Sequence, residues 1–191
     1  AALSIAIARA KKLTNIREIA DKCEKFIHGN PSGIDVNQVL SDTPLLFSKK
    51  DGAIPLNFNL DSYLLIIDTG VIGITKETLK HIKQNFENYK SYIDELGEIT
   101  EKVIEPLKKK AIEIVGAYMY KAHDLLQKLG VSHESNDDVV NICKNNGALG
   151  AKLTGGGAGG CCIALSKTKE NAEKIQNELA KKGYKSWIVT V

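Results

Sequence analysis

The sequence predicts an α+β fold in which helices cover one face of an antiparallel sheet. Residues 62–68, Ser-Tyr-Leu-Leu-Ile-Ile-Asp, and the run Cys161-Cys162-Ile163-Ala164-Leu165 have the length and apolar continuity of buried strands. Residues 168–182 place Ala172, Ile175 and Leu179 on one helical face, and Gly183 separates that helix from a last strand, 184–191. The order strand, strand, helices, strand, helix, strand along the chain suits a sheet with helices packed on one side.

The elements follow in order. Residues 2–12 are rich in Ala and apolar on most faces, which predicts a helix buried against other elements. Thr14 or Asn15 can cap a second helix over 16–27, with Ile16, Ile19, Ala20, Cys23 and Ile27 on its inner face. Glu24 lies beside that face, where it can reach a cleft at the edge of the packing. After a turn, Val36, Val39 and Leu40 continue a short helix from Asp35. Lys49-Lys50-Asp51-Gly52 between Leu45-Leu46-Phe47 and Ala53-Ile54-Pro55-Leu56 predicts a hairpin. Thr75 is placed to cap a helix over 76–89, and further helices are expected over 91–104 and 106–129, with Pro106 near a helix start and Gly130 as a stop. Ser135 or Asn136 starts a helix over 137–145, which Asn146-Gly147 ends. His81, His123 and His133 are isolated and read as surface or packing residues.

Composition narrows the function classes. The chain has 191 residues, 43% of them hydrophobic, with 26 basic and 23 acidic side chains and a net charge of +3. Lys108-Lys109-Lys110 and Lys181-Lys182 fall in helical patterns that also hold acids, so they read as solvated faces, and no nucleic-acid partner is expected. Cys23, Cys143, Cys161 and Cys162 show no metal-type spacing and predict reduced thiols in a cytoplasm. No apolar run has membrane-spanning length, so no membrane association is expected.

The segment Glu24-Lys25-Phe26-Ile27-His28-Gly29-Asn30-Pro31-Ser32-Gly33-Ile34-Asp35 places two carboxylates at opposite ends of a turn. Pro31 fixes φ, and Gly29 and Gly33 permit left-handed or closely approached backbone, so the turn can wrap a ligand. A carboxylate near a helix C-terminus, such as Glu24, suits a metal better than it suits the helix dipole. The same residues also read as a helix stop and start, with Ser32 and Asp35 in the S-x-x-D spacing of a capping pair. Both readings stand on these residues.

A second stretch runs from Gly147 to Leu165 and contains Lys152-Leu153-Thr154-Gly155-Gly156-Gly157-Ala158-Gly159-Gly160-Cys161. Gly155, Gly157 and Gly160 satisfy G-x-G-x-x-G, but a strand follows where a dinucleotide fingerprint needs a helix. No Gly-Lys-Ser/Thr closes the run as a P-loop would. What remains is a glycine loop between two strands, either a close-packed turn or a nest of N–H groups facing an anion. Asp68-Thr69-Gly70 is not an aspartic-protease site, because no second such triplet exists to share the proton.

Taken together, His28-Gly29-Asn30-Pro31-Ser32-Gly33-Ile34-Asp35 and the Lys152 to Cys161 stretch resemble motifs of the mevalonate kinases, a family of the GHMP kinase superfamily. The first motif is fairly specific to that family, whereas the glycine motif is shared across the superfamily. The resemblance implies the GHMP kinase fold. Residues 1–57 would be a remnant of the N-terminal domain carrying the active-site turn, and residues 58–191 the C-terminal domain with a ferredoxin-like antiparallel sheet. It implies ATP as co-substrate, Mg²⁺ as cofactor and mevalonate as the small-molecule substrate. Asp35 would take the proton from the substrate hydroxyl and Glu24 would bind Mg²⁺. His28, Ser32 and Thr75 would line the substrate pocket, although Gly73 and Ile74 beside Thr75 lack the polar side chains of some relatives. Gly155, Gly156, Gly157, Gly159 and Gly160 would support the phosphate-binding region.

Physical chemistry is compatible with these roles, since phosphoryl transfer depends on charge stabilisation and in-line positioning more than on covalent chemistry. The resemblance also places the family's main phosphate loop, and its catalytic lysine, upstream of an Ala-Ala-initiated helix like Ala1-Ala2-Leu3-Ser4. The expectation is therefore a C-terminal portion that needs the N-terminal segment of the same protein as its partner and has little activity alone, with a homodimer compatible with the family. Two alternatives remain, a GHMP kinase for another small alcohol such as phosphomevalonate or a sugar, and a ferredoxin-like binding module. The second would need exposed aromatics on the central strands to stack RNA bases, and Leu64 to Ile67 and Cys161 to Leu165 provide none.

Overall fold

The computed structural model describes residues 1–29, 31–73 and 75–191, without the side chains of His28, Thr75, Lys76, Glu77 and Leu79. It divides into two compact units, Ala1–Asn57 and Phe58–Val191.

In the first unit, α1 (Ala2–Ala10), α2 (Ile16–His28) and α3 (Ile34–Leu40) meet around Ile5, Ala20 and Val36. The hairpin pairs β1 (Leu45–Ser48) with β2 (Gly52–Pro55) in antiparallel register, Leu45 opposite Pro55 and Ser48 opposite Gly52. The hairpin forms as predicted, although the loop is Lys49-Lys50-Asp51 and only Gly52, at the start of β2, takes a positive φ, +75°; the Asp51 N–H donates to Ser48 Oγ at 2.8 Å. Leu3 and Ile7 on α1 and Phe26 and Ile27 on α2 remain exposed, Phe26 at 91%.

The second unit is built on a four-stranded antiparallel sheet in the order β4-β5-β3-β6, formed by β3 (Tyr63–Asp68), β4 (Gly150–Thr154), β5 (Cys161–Ser166) and β6 (Lys185–Thr190). Alternation along the strands turns Leu65, Ile67, Ala151, Leu153, Cys162 and Ala164 to one face. There they meet α8 (Glu134–Asn145) through Val139, Val140 and Cys143, and α9 (Lys169–Lys181) through Ala172, Ile175 and Leu179. Each fully buried Leu or Ile in this layer stabilises the fold by about 1.5–3 kcal/mol.

α7 (Ile112–Lys128) runs beside β4, and the approach depends on two glycines: a Cβ on Gly116 would stand 2.3 Å from the Leu149 carbonyl oxygen, and one on Gly150 2.3 Å from that of Gly116. The start of α7 reaches past the helical layer, so that Ile112 and Val115 pack with Leu60 and Leu165, which the sheet turns away from α8 and α9. Helices therefore do not stay on one face as expected. Toward β6 this second face is exposed, with Ile66 opposite Trp187 in the β3–β6 pair and Trp187 53% exposed.

Three helix boundaries differ from those expected. α4 (Thr75–Gln84) and α5 (Phe86–Lys102) part at Asn85, whose side-chain amide donates back to the His81 carbonyl at 2.9 Å and ends the first helix. The predicted helix over 106–129 is two, α6 (Ile104–Lys108) and α7, because Lys110 adopts a φ of +54°. Its ammonium is paired with Asp61. α8 begins at Glu134, because His133 caps it: the Ser135 N–H donates to His133 Nδ1 at 3.1 Å, and the His133 N–H donates to Asn136 Oδ1, also at 3.1 Å. The third isolated histidine is thus a helix cap.

Candidate functional site

The first candidate cluster lies wholly within the first unit. Helical spacing puts Asp21, Glu24 and Lys25 on one side of α2. The chain then leaves α2 through Gly29, with a φ of +72°, and enters α3 through Gly33, with a φ of +87°. This reversal brings Asp35 back to the flank of α2, so that Glu24 and Asp35, with Asp21, Pro31 and Ser32, line one cleft of about 370 Å³. The two carboxylates play different parts in its wall. Glu24 is only 4% exposed and bonded, its partners including the amino nitrogen of Ala1, whereas Asp35 is exposed in the first turn of α3.

The capping reading of Ser32 and Asp35 is met in part: the Ser32 hydroxyl accepts an N–H at the start of α3 and Asp35 stands in its first turn, but the N-cap position itself is Gly33. Gly33 occupies the N-cap position without a side-chain bond, and Ser32 Oγ accepts only a local 3.3 Å hydrogen bond from the Ile34 N–H. His28 closes α2 and Thr75 opens α4, but the side chains of both lie outside the described residues.

The carboxylates suit a magnesium ion carried by a nucleotide. The donors on the cleft are hard carboxylate oxygens, the ligand type that Mg²⁺ prefers. Among the described residues no three acidic, His or Cys side chains converge as a metal cage. Mg²⁺ does not require one, because it takes one or two carboxylates and completes its octahedron with phosphate oxygens and water.

The second cluster lies in the second unit, where the glycine loop joins β4 to β5. Gly155, Gly157, Ala158, Gly159 and Gly160 all have positive φ, which explains the density of glycine. The later half of the loop is tied down. The Ala158 N–H donates to the Val131 carbonyl at 2.8 Å, the Gly159 N–H to Asn136 Oδ1 at 3.0 Å and the Gly160 N–H to the Val71 carbonyl at 2.7 Å. Thr69 returns two bonds to the Gly160 carbonyl, from its N–H at 3.0 Å and its hydroxyl at 2.6 Å. Among the described residues the amides of Gly155 and Gly156 have no partner, and both residues are exposed, whereas Gly157 is buried at the end of the turn. The loop is therefore close-packed in one half and open to an anion in the other.

Beneath its entry lies a buried polar group that periodicity alone does not distinguish. His123 Nδ1 accepts the Leu153 N–H at 3.4 Å, so its proton resides on Nε2, 3.2 Å from Asp137 Oδ1 but without hydrogen-bond alignment. Asp137 Oδ1 also accepts from Ser132 Oγ at 2.5 Å. Burial pushes the His123 pKa down, opposed by Asp137 and Asp124. Burial likewise lowers that of Lys152, whose ammonium donates to the Leu153 carbonyl at 2.5 Å. It raises the Cys143 and Cys162 thiols to about 12 and about 11.

Comparison with known proteins gives a consistent set of relatives. Residues 103–185 match the family described as GHMP kinases C terminal. The chain is 32% identical over 168 residues to mevalonate kinase of Aeropyrum pernix, a match covering 82% of this chain and 50% of that protein. It is 31% identical over 189 residues to mevalonate kinase of Dictyostelium discoideum, covering 88% and 47%. The crystal structure of L. major mevalonate kinase in complex with R-mevalonate superimposes with a TM-score of 0.87 at 26% identity, covering 98% of this chain and 64% of that one. The chain thus spans about half the length of the curated relatives it matches.

Proposed function

We propose that this chain belongs to the GHMP kinases through their C-terminal domain and forms about half of a kinase that transfers the γ-phosphoryl group of MgATP to the primary hydroxyl of mevalonate. The observation that carries this reading is the shared cleft of Glu24 and Asp35. The substrate hydroxyl oxygen bonds to the γ-phosphorus, the bond to the ADP oxygen breaks, and the hydroxyl proton passes to the Asp35 carboxylate. Glu24 is the residue that would hold Mg²⁺, which neutralises charge on the phosphates when bound. Ser32 lies on the same cleft and contacts substrate, with His28 and Thr75 as further substrate contacts. The open half of the glycine loop, Gly155 and Gly156, supports the nucleotide phosphates, while Gly157, Gly159 and Gly160 anchor it.

The active protein includes the remaining half of the relatives' length as an N-terminal segment of the same protein, and residues 1–191 alone have little activity. Exposed Leu3, Ile7 and Phe26 on the first unit support that partnership, since large apolar side chains so placed suit a covering surface. Four free cysteines and the lack, among the described residues, of a helix long and apolar enough to cross a membrane are compatible with a cytoplasmic enzyme.

The test is mevalonate-dependent ADP release with Mg²⁺, using this chain combined with a polypeptide supplying that other half. Release should require mevalonate, and Asp35→Asn should lower kcat by at least about a hundredfold without loss of fold. Release with phosphomevalonate or a sugar instead would move the substrate assignment within the GHMP kinases. A folded assembly releasing ADP with none of these alcohols would end the kinase reading.

A further inference from the structure

We propose that Asn136 is a positioning residue of the glycine loop, whose buried amide grips the Gly159 peptide and so sets how the open half of the loop meets the nucleotide phosphates. The role rests on the kinase reading above. The grip itself is a matter of geometry. Asn136 has 0% exposure, and all four hydrogen-bonding sites of its side chain are engaged. Oδ1 accepts the N–H of Gly159 at 3.0 Å and that of His133 at 3.1 Å. Nδ2 donates to the Gly159 carbonyl at 3.0 Å and to Cys162 Sγ at 3.4 Å. Two backbone donors on Oδ1 fix the orientation of the amide. It pairs with both polar groups of the Gly159 peptide as a neighbouring strand would.

The loop has little freedom to answer the loss of that grip. Gly159 has a φ of +113°, and a Cβ there would lie 2.8 Å from the Val71 carbonyl oxygen, so its backbone is wedged between Val71 and Asn136. Gly157 is confined in the same way, since its Cβ would lie 2.2 Å from the Val131 carbonyl oxygen. The residues around Asn136 that tie down the later half leave Gly155 and Gly156 to face solvent. Asn136 acts through Gly159 and not on a ligand. Removing its amide strands the buried N–H and carbonyl of Gly159, and relief comes through movement of the loop.

The experiment compares Asn136→Ala and Asn136→Asp with Asn171→Ala in the ADP-release assembly, following KM for ATP, kcat, Tm and amide exchange over residues 155–160. Asn171 is a control of similar kind: its amide donates to the Asn146 carbonyl at 2.9 Å and has no bond to the loop. Asn136→Ala should raise KM for ATP by about tenfold and speed exchange in the loop, at temperatures where the fold is intact. Asn136→Asp keeps the acceptor for both N–H groups but sets an oxygen against the Gly159 carbonyl, and should fall between wild type and Asn136→Ala. Asn171→Ala should lower Tm and change neither KM nor loop exchange. Should Asn136→Ala lower Tm while KM and exchange stay at wild-type values, Asn136 is a packing residue and the proposal is wrong. Should the wild-type assembly release no ADP with any alcohol, the kinase reading and this role fall together, and the exchange data alone report whether the amide holds the loop.

Discussion

His123 is a residue at which burial and hydrogen bonding act in the same direction. Its Nδ1 is committed to the Leu153 N–H and cannot take a proton without losing that bond, and burial lowers its pKa from the ordinary 6.5. Asp137 on α8 and Asp124 on α7 oppose the shift, while Lys152 on β4 adds to it. The unfolded chain binds the proton more readily than the folded one. Stability from this group is therefore complete above the unfolded pKa and declines as pH falls below about 6.5. Thermal unfolding should show Tm falling from about pH 7.5 to pH 5, above the range in which ordinary carboxylates titrate. His123→Asn, whose amide oxygen can accept the Leu153 N–H without titrating, should flatten that slope. An unchanged slope in the variant would assign the pH dependence elsewhere.

At the scale of elements, the glycine loop separates two kinds of glycine. Gly155 and Gly157 both have positive φ, +78° and +77°, but only Gly157 has a carbonyl, that of Val131, in the space a side chain would need. Gly155→Ala should cost about 1–2 kcal/mol, the penalty of a left-handed backbone alone. Gly157→Ala adds overpacking against Val131 and should cost about 2–5 kcal/mol in urea unfolding.

That contrast also shows what was legible in the sequence. The glycine density, the two strands around the loop, the Asp51-Gly52 hairpin and the α9 face of Ala172, Ile175 and Leu179 all depend on local pattern, and the chain carries that pattern. The shared cleft of Glu24 and Asp35 was legible too, because the turn between them is short. The ends of α4 and α6 were not. One depends on an Asn85 side chain bonding back to its own helix, the other on the left-handed backbone of Lys110, a residue whose ion-pair partner, Asp61, is far away in sequence. The Asn136 grip on Gly159 was hidden for the same reason. Asn136 read as a helix start, and its partner is 23 positions along the chain.

The whole molecule consists of two units with unequal cores. The first gathers Ile5, Ala20 and Val36 between three helices and leaves several large apolar side chains exposed, whereas the second buries a full layer between sheet and helices. Residues 58–191 expressed alone should therefore keep a cooperative unfolding transition, with a Tm within a few degrees of the same unit in the full chain. Loss of that transition by circular dichroism would show that the second unit depends on the first.

The exposed Trp187 on β6 makes this dependence visible in a single sample. It is the chain's one tryptophan, and it belongs to the second unit, beside Ile66 on the open sheet face. Indole emission during denaturation therefore reports the second unit alone, while the far-ultraviolet signal follows the helices of both. The interval between the two curves separates the melting of one unit from that of the other, without labels, truncation or any knowledge of the substrate.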